Sequence, residues 1–330
     1  MVARLIAGLS VGVFATLLTA AAQQPAKVSR IGVLVTLPRP AAASSSPYNA
    51  FLRELQNLGH VEGQNINIAW HHTDGNPERR RREAVTLAAW KPDVVLATAD
   101  LEARALHELD ASVPIVVAGA GDLVASGLAQ SLAQPRGNVT GIQTLGAALI
   151  PKRLEILKEL IPRTQRVALL YDDRALDSSR LAAIFADADT AAKRLSIRVQ
   201  RYAVSSGDDL DRAFTDMKRR VEAVITLDTQ LMVAHRARII DLAARHRLPT
   251  MYGFRTFVEA GGFAAYGAKL SEHYRRAAQF VDRILKGAKP ADIPVEQPKE
   301  LELVINMKTA KVLGLTIAPL LLGRAEQITE

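Results

Sequence analysis

Arg30-Ile31-Gly32-Val33-Leu34-Val35 and Arg166-Val167-Ala168-Leu169-Leu170-Tyr171 are two versions of one segment. Each is a basic residue followed by an apolar run of strand length, the composition of a parallel strand covered on both faces. Working outward, the parallel persists. Residues 93–98 match 222–227, and each of these strands leads into a helix. Val113-Pro114-Ile115-Val116-Val117 then matches Leu248-Pro249-Thr250-Met251-Tyr252. The offset stays near 130 residues throughout. A period of that size is one domain, not one solenoid repeat, so the chain reads as two similar lobes.

The same alternation fills the rest of each half. Strands are expected at 30–37, 65–70, 93–98, 114–118 and 138–144, and again at 166–171, 198–204, 223–227, 249–252 and 262–266. Amphipathic helical patterns lie between them at 48–58, 84–90, 152–160, 181–195, 209–219 and 235–246. Alternating strands and helices make an α/β fold, here two doubly wound parallel-sheet lobes joined by a multi-strand hinge. The chain after 266 reads as a helix at 271–287, a Pro-rich connector, a last strand at 300–306 and a short helix at 307–313, segments that recross between lobes. The expected first lobe is 28–146 plus about 268–290, and the second 147–267 plus about 291–330. Open parallel sheets bind ligands beyond the carboxyl ends of their strands, so two facing lobes share one cleft, and closure lets both touch a ligand.

The N-terminus carries a different signal. Arg4 precedes an uncharged apolar stretch over 5–20, followed by Ala20-Ala21-Ala22. Such a stretch is short for a membrane span and has the length of a signal-peptide core, with small residues placed for cleavage after Ala22. Residues 1–22 are therefore expected to be a cleaved signal peptide, and no later run is long enough to span a bilayer. The chain has no cysteine, which excludes disulfides, thiolate catalysis, cysteine metal sites and a lipoprotein anchor. The formal charge is +8, yet export removes nucleic acid as a partner. The one dense run, Arg79 to Arg82, follows Asn76-Pro77-Glu78, a helix start, and is expected to form a solvated helix face.

Several stretches in combination resemble a known family. They are Gly59-His60-Val61-Glu62-Gly63-Gln64-Asn65-Ile66, Gly121-Asp122, Ser126-Gly127-Leu128 and Gly137-Asn138-Val139-Thr140-Gly141 in the first half. The second half adds His235-Arg236-Ala237-Arg238-Ile239, Tyr252-Gly253-Phe254-Arg255, Val258-Glu259-Ala260-Gly261-Gly262, Tyr266-Gly267, 285–292 and 302–306. Together, over nearly all of 28–326, they resemble the ABC-transporter substrate-binding family that includes tryptophan/aromatic amino-acid-type binding proteins. The resemblance implies a type I periplasmic-binding fold with three hinge crossings, in a periplasmic protein that is monomeric by default. It implies a small-molecule ligand, an amino acid or other small polar metabolite, passed to an ABC permease and ATPase complex. A protein that presents its liganded form to a membrane sensor has the same needs. The chain departs from the family's turns at Thr98-Ala99-Asp100-Leu101, Gly121-Asp122-Leu123 and Leu227-Asp228-Thr229-Gln230, and the added acid at Asp100 bears on ligand charge.

The candidate ligand residues stand at strand ends. Thr98, with the amides of Ala99 and Asp100, occupies a strand-to-helix corner, and Asp228 with Thr229 occupies the matching corner of the second half. These are either ligand contacts or helix caps. Asp122 is a further cleft-side carboxylate, for a ligand ammonium or a cap, and Asp228 is expected to pair with a ligand cation. Tyr48, Tyr171 and Tyr252 either meet a ligand or pack in the core. Ser46, in the polar turn 44–47, is expected to close over the pocket mouth.

No catalytic constellation stands out. The sequence holds no Gly-x-Ser-x-Gly elbow, phosphate loop or His-Glu-x-x-His. His71 and His72, adjacent on a strand, point to opposite faces, and His235 and His246 are about three helical turns apart, so neither pair is expected to hold a metal. No enzyme activity and no cofactor are expected.

Overall fold

The computed structural model describes residues 28–36, 47–176 and 178–328; the proposed signal peptide and Ser46 lie outside them. The first half supplies β1 (Ser29–Val35), α1 (Pro47–Asn57), β2 (Ile66–His72), α2 (Pro77–Ala89), β3 (Val94–Ala97), α3 (Asp100–His107), β4 (Ile115–Ala120) and β5 (Val139–Gln143). Its sheet is parallel throughout, in the order β2-β1-β3-β4-β5.

The second half repeats the plan. It runs α4 (Ile150–Leu160), β6 (Arg166–Asp172), α5 (Ser178–Arg194), β7 (Arg198–Val204), α6 (Asp209–Arg220), β8 (Ala223–Thr226), α7 (Gln230–Ala234), α8 (Arg236–His246), β9 (Thr250–Tyr252), α9 (Arg255–Glu259) and β10 (Ala264–Ala268). The order β7-β6-β8-β9-β10 is the same winding as in the first sheet. The chain then continues through α10 (Leu270–Leu285), β11 (Leu301–Asn306), α11 (Met307–Val312), α12 (Pro319–Leu322) and β12 (Glu326–Ile328). β11 joins β10 antiparallel and β12 extends the sheet beyond it, giving seven strands. Among the described residues, no helix is long and apolar enough to cross a membrane.

Strand alternation explains the layering, because successive side chains leave a strand on opposite faces. In β1, Ile31, Val33 and Val35 meet Phe51 of α1 and Phe280 of α10, while Leu34 turns to Leu87 of α2 and Leu106 of α3. In β6, Val167 and Leu169 meet Leu154 and Leu157 of α4, while Ala168 and Leu170 face Phe214 and Met217 of α6.

The chain crosses between sheets three times: after β5, between β10 and α10, and before β11. At the first crossing Leu145 takes a left-handed backbone with φ of 57°, a conformation costly to a residue with a bulky side chain. The third crossing comes later than the expected boundary at 291. Val295 N–H donates to the Leu132 carbonyl at 2.7 Å, and Glu296 exchanges bonds with Gly141 and Gln143 at 2.9 Å. Thr140 Oγ1 also donates to the Ile293 carbonyl at 2.7 Å. Residues 290–296 thus pack with the first lobe, satisfying backbone groups at the edge of β5 that has no further strand beside it.

Candidate ligand-binding cleft

The two sheets meet at the carboxyl ends of their strands. Helix α2 begins just past β2, and its start is fixed by Asn76, whose side chain accepts from Arg79 N–H at 2.9 Å, with Pro77 in the first turn. Arg80 turns inward, a correction for that one residue, while Arg81 and Arg82 lie on the solvated face expected of the basic run. Arg80 Nε donates to Glu102 of α3 at 3.2 Å, and its Nη2 to Gln230 of α7 at 3.2 Å. Glu102 is fully buried. It also accepts from Thr73 Oγ1 at 3.1 Å and from Gln230 Nε2 at 2.6 Å. Arg80, Glu102 and Gln230 close a polar ring across the lobes, in which a buried carboxylate is charge-compensated and bonded three times. Beside it, Gly75 backs onto α7 so closely that a Cβ would lie 2.7 Å from Ala234 Cβ. On the other side Arg180 of α5 reaches Asp122 at 3.5 Å.

The residues singled out from the sequence divide three ways. Thr98 Oγ1 accepts from Thr36 N–H at 3.1 Å and lies 3.3 Å from Thr36 Oγ1, so two hydroxyls pair at the ends of β1 and β3. Ala99 is the N-cap of α3 and offers no side-chain bond. Asp100 folds back on its own lobe, accepting from Gly121 N–H at 3.1 Å and Asp122 N–H at 3.4 Å. Burial pushes its carboxyl above the ordinary value, opposed by those amides. Asp122 caps its own turn, accepting from Val124 and Ala125 N–H at 3.1 and 3.0 Å, in addition to its pairing with Arg180. Tyr48 stands half-buried on α1, with Trp70 and Tyr274 edge-on at centroid distances of 5.7 and 5.3 Å.

The second-lobe candidates turn inward. Asp228 is almost wholly buried on Arg153 Nη2 at 2.6 Å, and Arg153 Nε donates to the Tyr266 carbonyl at 2.7 Å. Burial raises the Asp228 carboxyl while Arg153 pulls it down. The expected pairing of Asp228 with a ligand cation is corrected here, because α4 already delivers a cation to it. Thr229 caps α7, accepting from Met232 N–H at 3.5 Å. Tyr252 is fully buried and stacked on Phe257 at 4.7 Å, so it is a core residue. Tyr171 packs edge-on against Phe185 of α5 at 5.0 Å.

Arg80, Glu102, Arg153 and Gln230 were not among the expected site residues. Glu102 looks in the sequence like an ordinary first-turn acid, and its partners stand 22 and 128 positions away. No local pattern carries that information. His71 bonds Glu83 at 2.7 Å, and no metal-holding group of His, Cys, Asp or Glu gathers among the described residues.

Known proteins share this architecture. A tyrosine-binding protein of Clostridioides difficile is 24% identical over 289 residues, covering 88% of this chain and 82% of that protein. A crystal structure of a conserved domain protein from Vibrio cholerae superposes with a TM-score of 0.81 at 24% identity, over 92% of this chain and all of the other. The structure of an ABC domain in complex with L-Trp from Streptococcus pneumoniae gives 0.78 at 24% identity, over 91% and 99% of the two chains. At that identity the two structures establish the fold. The model of the ABC transporter substrate binding protein family matches residues 30–329, and the chain belongs to that family.

Proposed function

We propose that the protein is the extracytoplasmic binding component of an ABC importer, holding an amino acid or related small polar metabolite between its lobes. The observation that carries this reading is the Arg80–Glu102–Gln230 ring, which ties the carboxyl ends of the two sheets together over the cleft. Contacts that form only when the lobes meet let a ligand shift the population towards closure, provided it too touches both lobes. Three crossings, one with a strained Leu145, give the hinge. Within the cleft the Thr36–Thr98 hydroxyl pair and Tyr48 are the proposed ligand contacts, and residues 1–22 direct export to the periplasm. Support for an amino-acid ligand comes from the tyrosine-binding relative and the L-Trp complex. The permease and ATPase follow from family membership.

A thermal-shift screen against amino acids, sugars, nucleosides, carboxylates and short peptides tests the proposal. A solute that binds only the folded state raises the midpoint with concentration, by about 2.7 kcal/mol of added stability at a hundred times Kd. An amino acid in that role supports the reading. A cooperative melt unmoved by every member of the panel overturns it.

A further inference from the structure

Basic residues of the second lobe gather at one end of its sheet. In a parallel sheet every strand starts at the same end, and each crossover helix finishes there. Arg198 and Arg166 are register partners at the starts of β7 and β6. Glu222, just before β8, donates its N–H to the Arg166 carbonyl at 2.9 Å. Helix α5 finishes at this end on Lys193 and Arg194, α6 on Lys218, Arg219 and Arg220, and α8 on Arg245, with Arg247 just past it. All of these cations are exposed. Arg166 pairs with Glu222 at 3.0 Å, Arg220 with Asp216 at 2.9 Å and Arg245 with Asp241 at 2.6 Å. Lys193, Arg194, Arg198, Lys218, Arg219 and Arg247 have no ion pair among the described residues.

Helix ends alone do not account for this cluster. A cation in the last turn complements the helix macrodipole. Yet α1 and α2, which hold in the first lobe the places of α5 and α6, have no basic residue in their last turns. The same winding folds without such residues, and crowded charges of one sign repel each other. The stretches 193–198, 218–222 and 245–249 hold no Phe, Trp or Tyr and no exposed large apolar side chain. This end therefore has neither the stacking groups that single-stranded nucleic acid uses nor a wedge for insertion into hydrocarbon. What it presents is a broad array of long cationic side chains, spread over the ends of three helices and the edge strand β7.

We infer that this end of the second lobe is a peripheral docking surface for a membrane carrying anionic phospholipid headgroups. A cluster of Lys and Arg residues suits such a surface, and each cation held within a Debye length of it strengthens attachment about fivefold. Attachment there leaves the cleft free. The cleft lies at the other end of the sheet, about 20 Å away along the seven residues of β6. That exceeds two Debye lengths of about 8 Å at physiological salt, so the headgroups do not act on a solute in the cleft. The inference does not depend on which solute the cleft holds. On the importer reading, it keeps the protein at the membrane of its transporter with the cleft open to solute.

The test is co-sedimentation of the protein with vesicles of phosphatidylcholine alone and of phosphatidylcholine mixed with phosphatidylglycerol, at low and at high salt. Wild type is expected to pellet with the mixed vesicles only, and to be released by high salt. Lys193→Gln, Arg194→Gln, Lys218→Gln and Arg219→Gln combined should weaken attachment about a hundredfold or more. A matched variant, with Arg81, Arg82, Arg283 and Lys289 changed to Gln, loses the same charge from the first lobe and should stay within about tenfold of wild type. Both sets are exposed, and an unchanged melt shows that each variant is folded. Wild type that ignores the mixed vesicles overturns the inference, as does equal weakening in the two variants, which would make net charge the cause. An oligonucleotide held through the same four residues, without vesicle binding, overturns it in favour of nucleic acid. The thermal-shift response to solute should be alike in wild type and both variants, so loss of vesicle binding and failure of the cleft reading are seen separately.

Discussion

Removing the Asp228 carboxylate would leave the buried Arg153 guanidinium with only the Tyr266 carbonyl. An uncompensated buried charge costs about 3–5 kcal/mol, so Asp228→Ala should lower unfolding stability by that amount in a denaturant titration. A plain helix cap would cost about 1 kcal/mol. Glu296 at the third crossing gives a pH-dependent counterpart. Arg276 holds its carboxyl below the ordinary value of 4.5, so the native state binds that proton more weakly than the unfolded chain. The pair's contribution is then present above about pH 4.5 and lost as pH falls through the lowered native value. Melting midpoints of wild type and Glu296→Gln should differ most near neutral pH and converge under acid. At this scale the sequence was least informative. Thr98 and Asp228 were legible as strand-end residues, but their partners, Thr36 and Arg153, come from elsewhere in the fold. The same distance hid Glu102, and Tyr252 ends a strand as a ligand residue would, yet points into the core.

Elements were read more reliably because periodicity is local. The repeated strand at 30–35 and 166–171 announced β1 and β6, and hydrophobic spacing located most long helices within a few residues; for α2, expected at 84–90 and observed at Pro77–Ala89, the Asn76-Pro77 start signal and not the spacing marked the beginning. The short elements α7, α9, α12 and β12 escaped, since three to five residues carry too little periodicity to separate helix or strand from turn. The third crossing was misplaced for a related reason: the extended segment before it pairs with β5 through backbone groups, which leave no mark on side-chain pattern. The β9–α9 turn illustrates how tightly such elements are fitted. A Cβ on Gly253 would overlap the Asp228 carboxylate, so Gly253→Ala must displace Asp228 from Arg153. Overpacking of this kind costs about 1–3 kcal/mol, and the midpoint of thermal unfolding should fall accordingly. In Asp228→Ala the same glycine substitution should cost less, because the obstructing carboxylate is gone.

For the whole molecule, the proposed closure makes the lobes a two-state pair, with Arg80, Glu102 and Gln230 bonded across them. Gln230→Ala deletes both of its bonds across the cleft. Hydrogen bonds to charged groups contribute about 1.5–3 kcal/mol, so the lobe-closed form should lose roughly ten- to a hundredfold in population relative to the open one. Small-angle scattering should then show a larger radius of gyration for the ligand-free variant than for wild type, and solute affinity should weaken by a similar factor. A variant of unchanged dimensions would mean that the ring is incidental to closure.

The repetition of one plan in two lobes was visible from the sequence; that they close on a solute is the proposal most open to direct measurement. With no cysteine in the chain, spin labels can be placed at Arg81→Cys on α2 and Ala237→Cys on α8, both exposed and on opposite sides of the cleft. Electron–electron distance measurement, with and without the solute that stabilises the protein most, reports the separation of the lobes. The account predicts that the solute collects the distribution into one short, narrow population. A distribution that saturating solute leaves unchanged would contradict it.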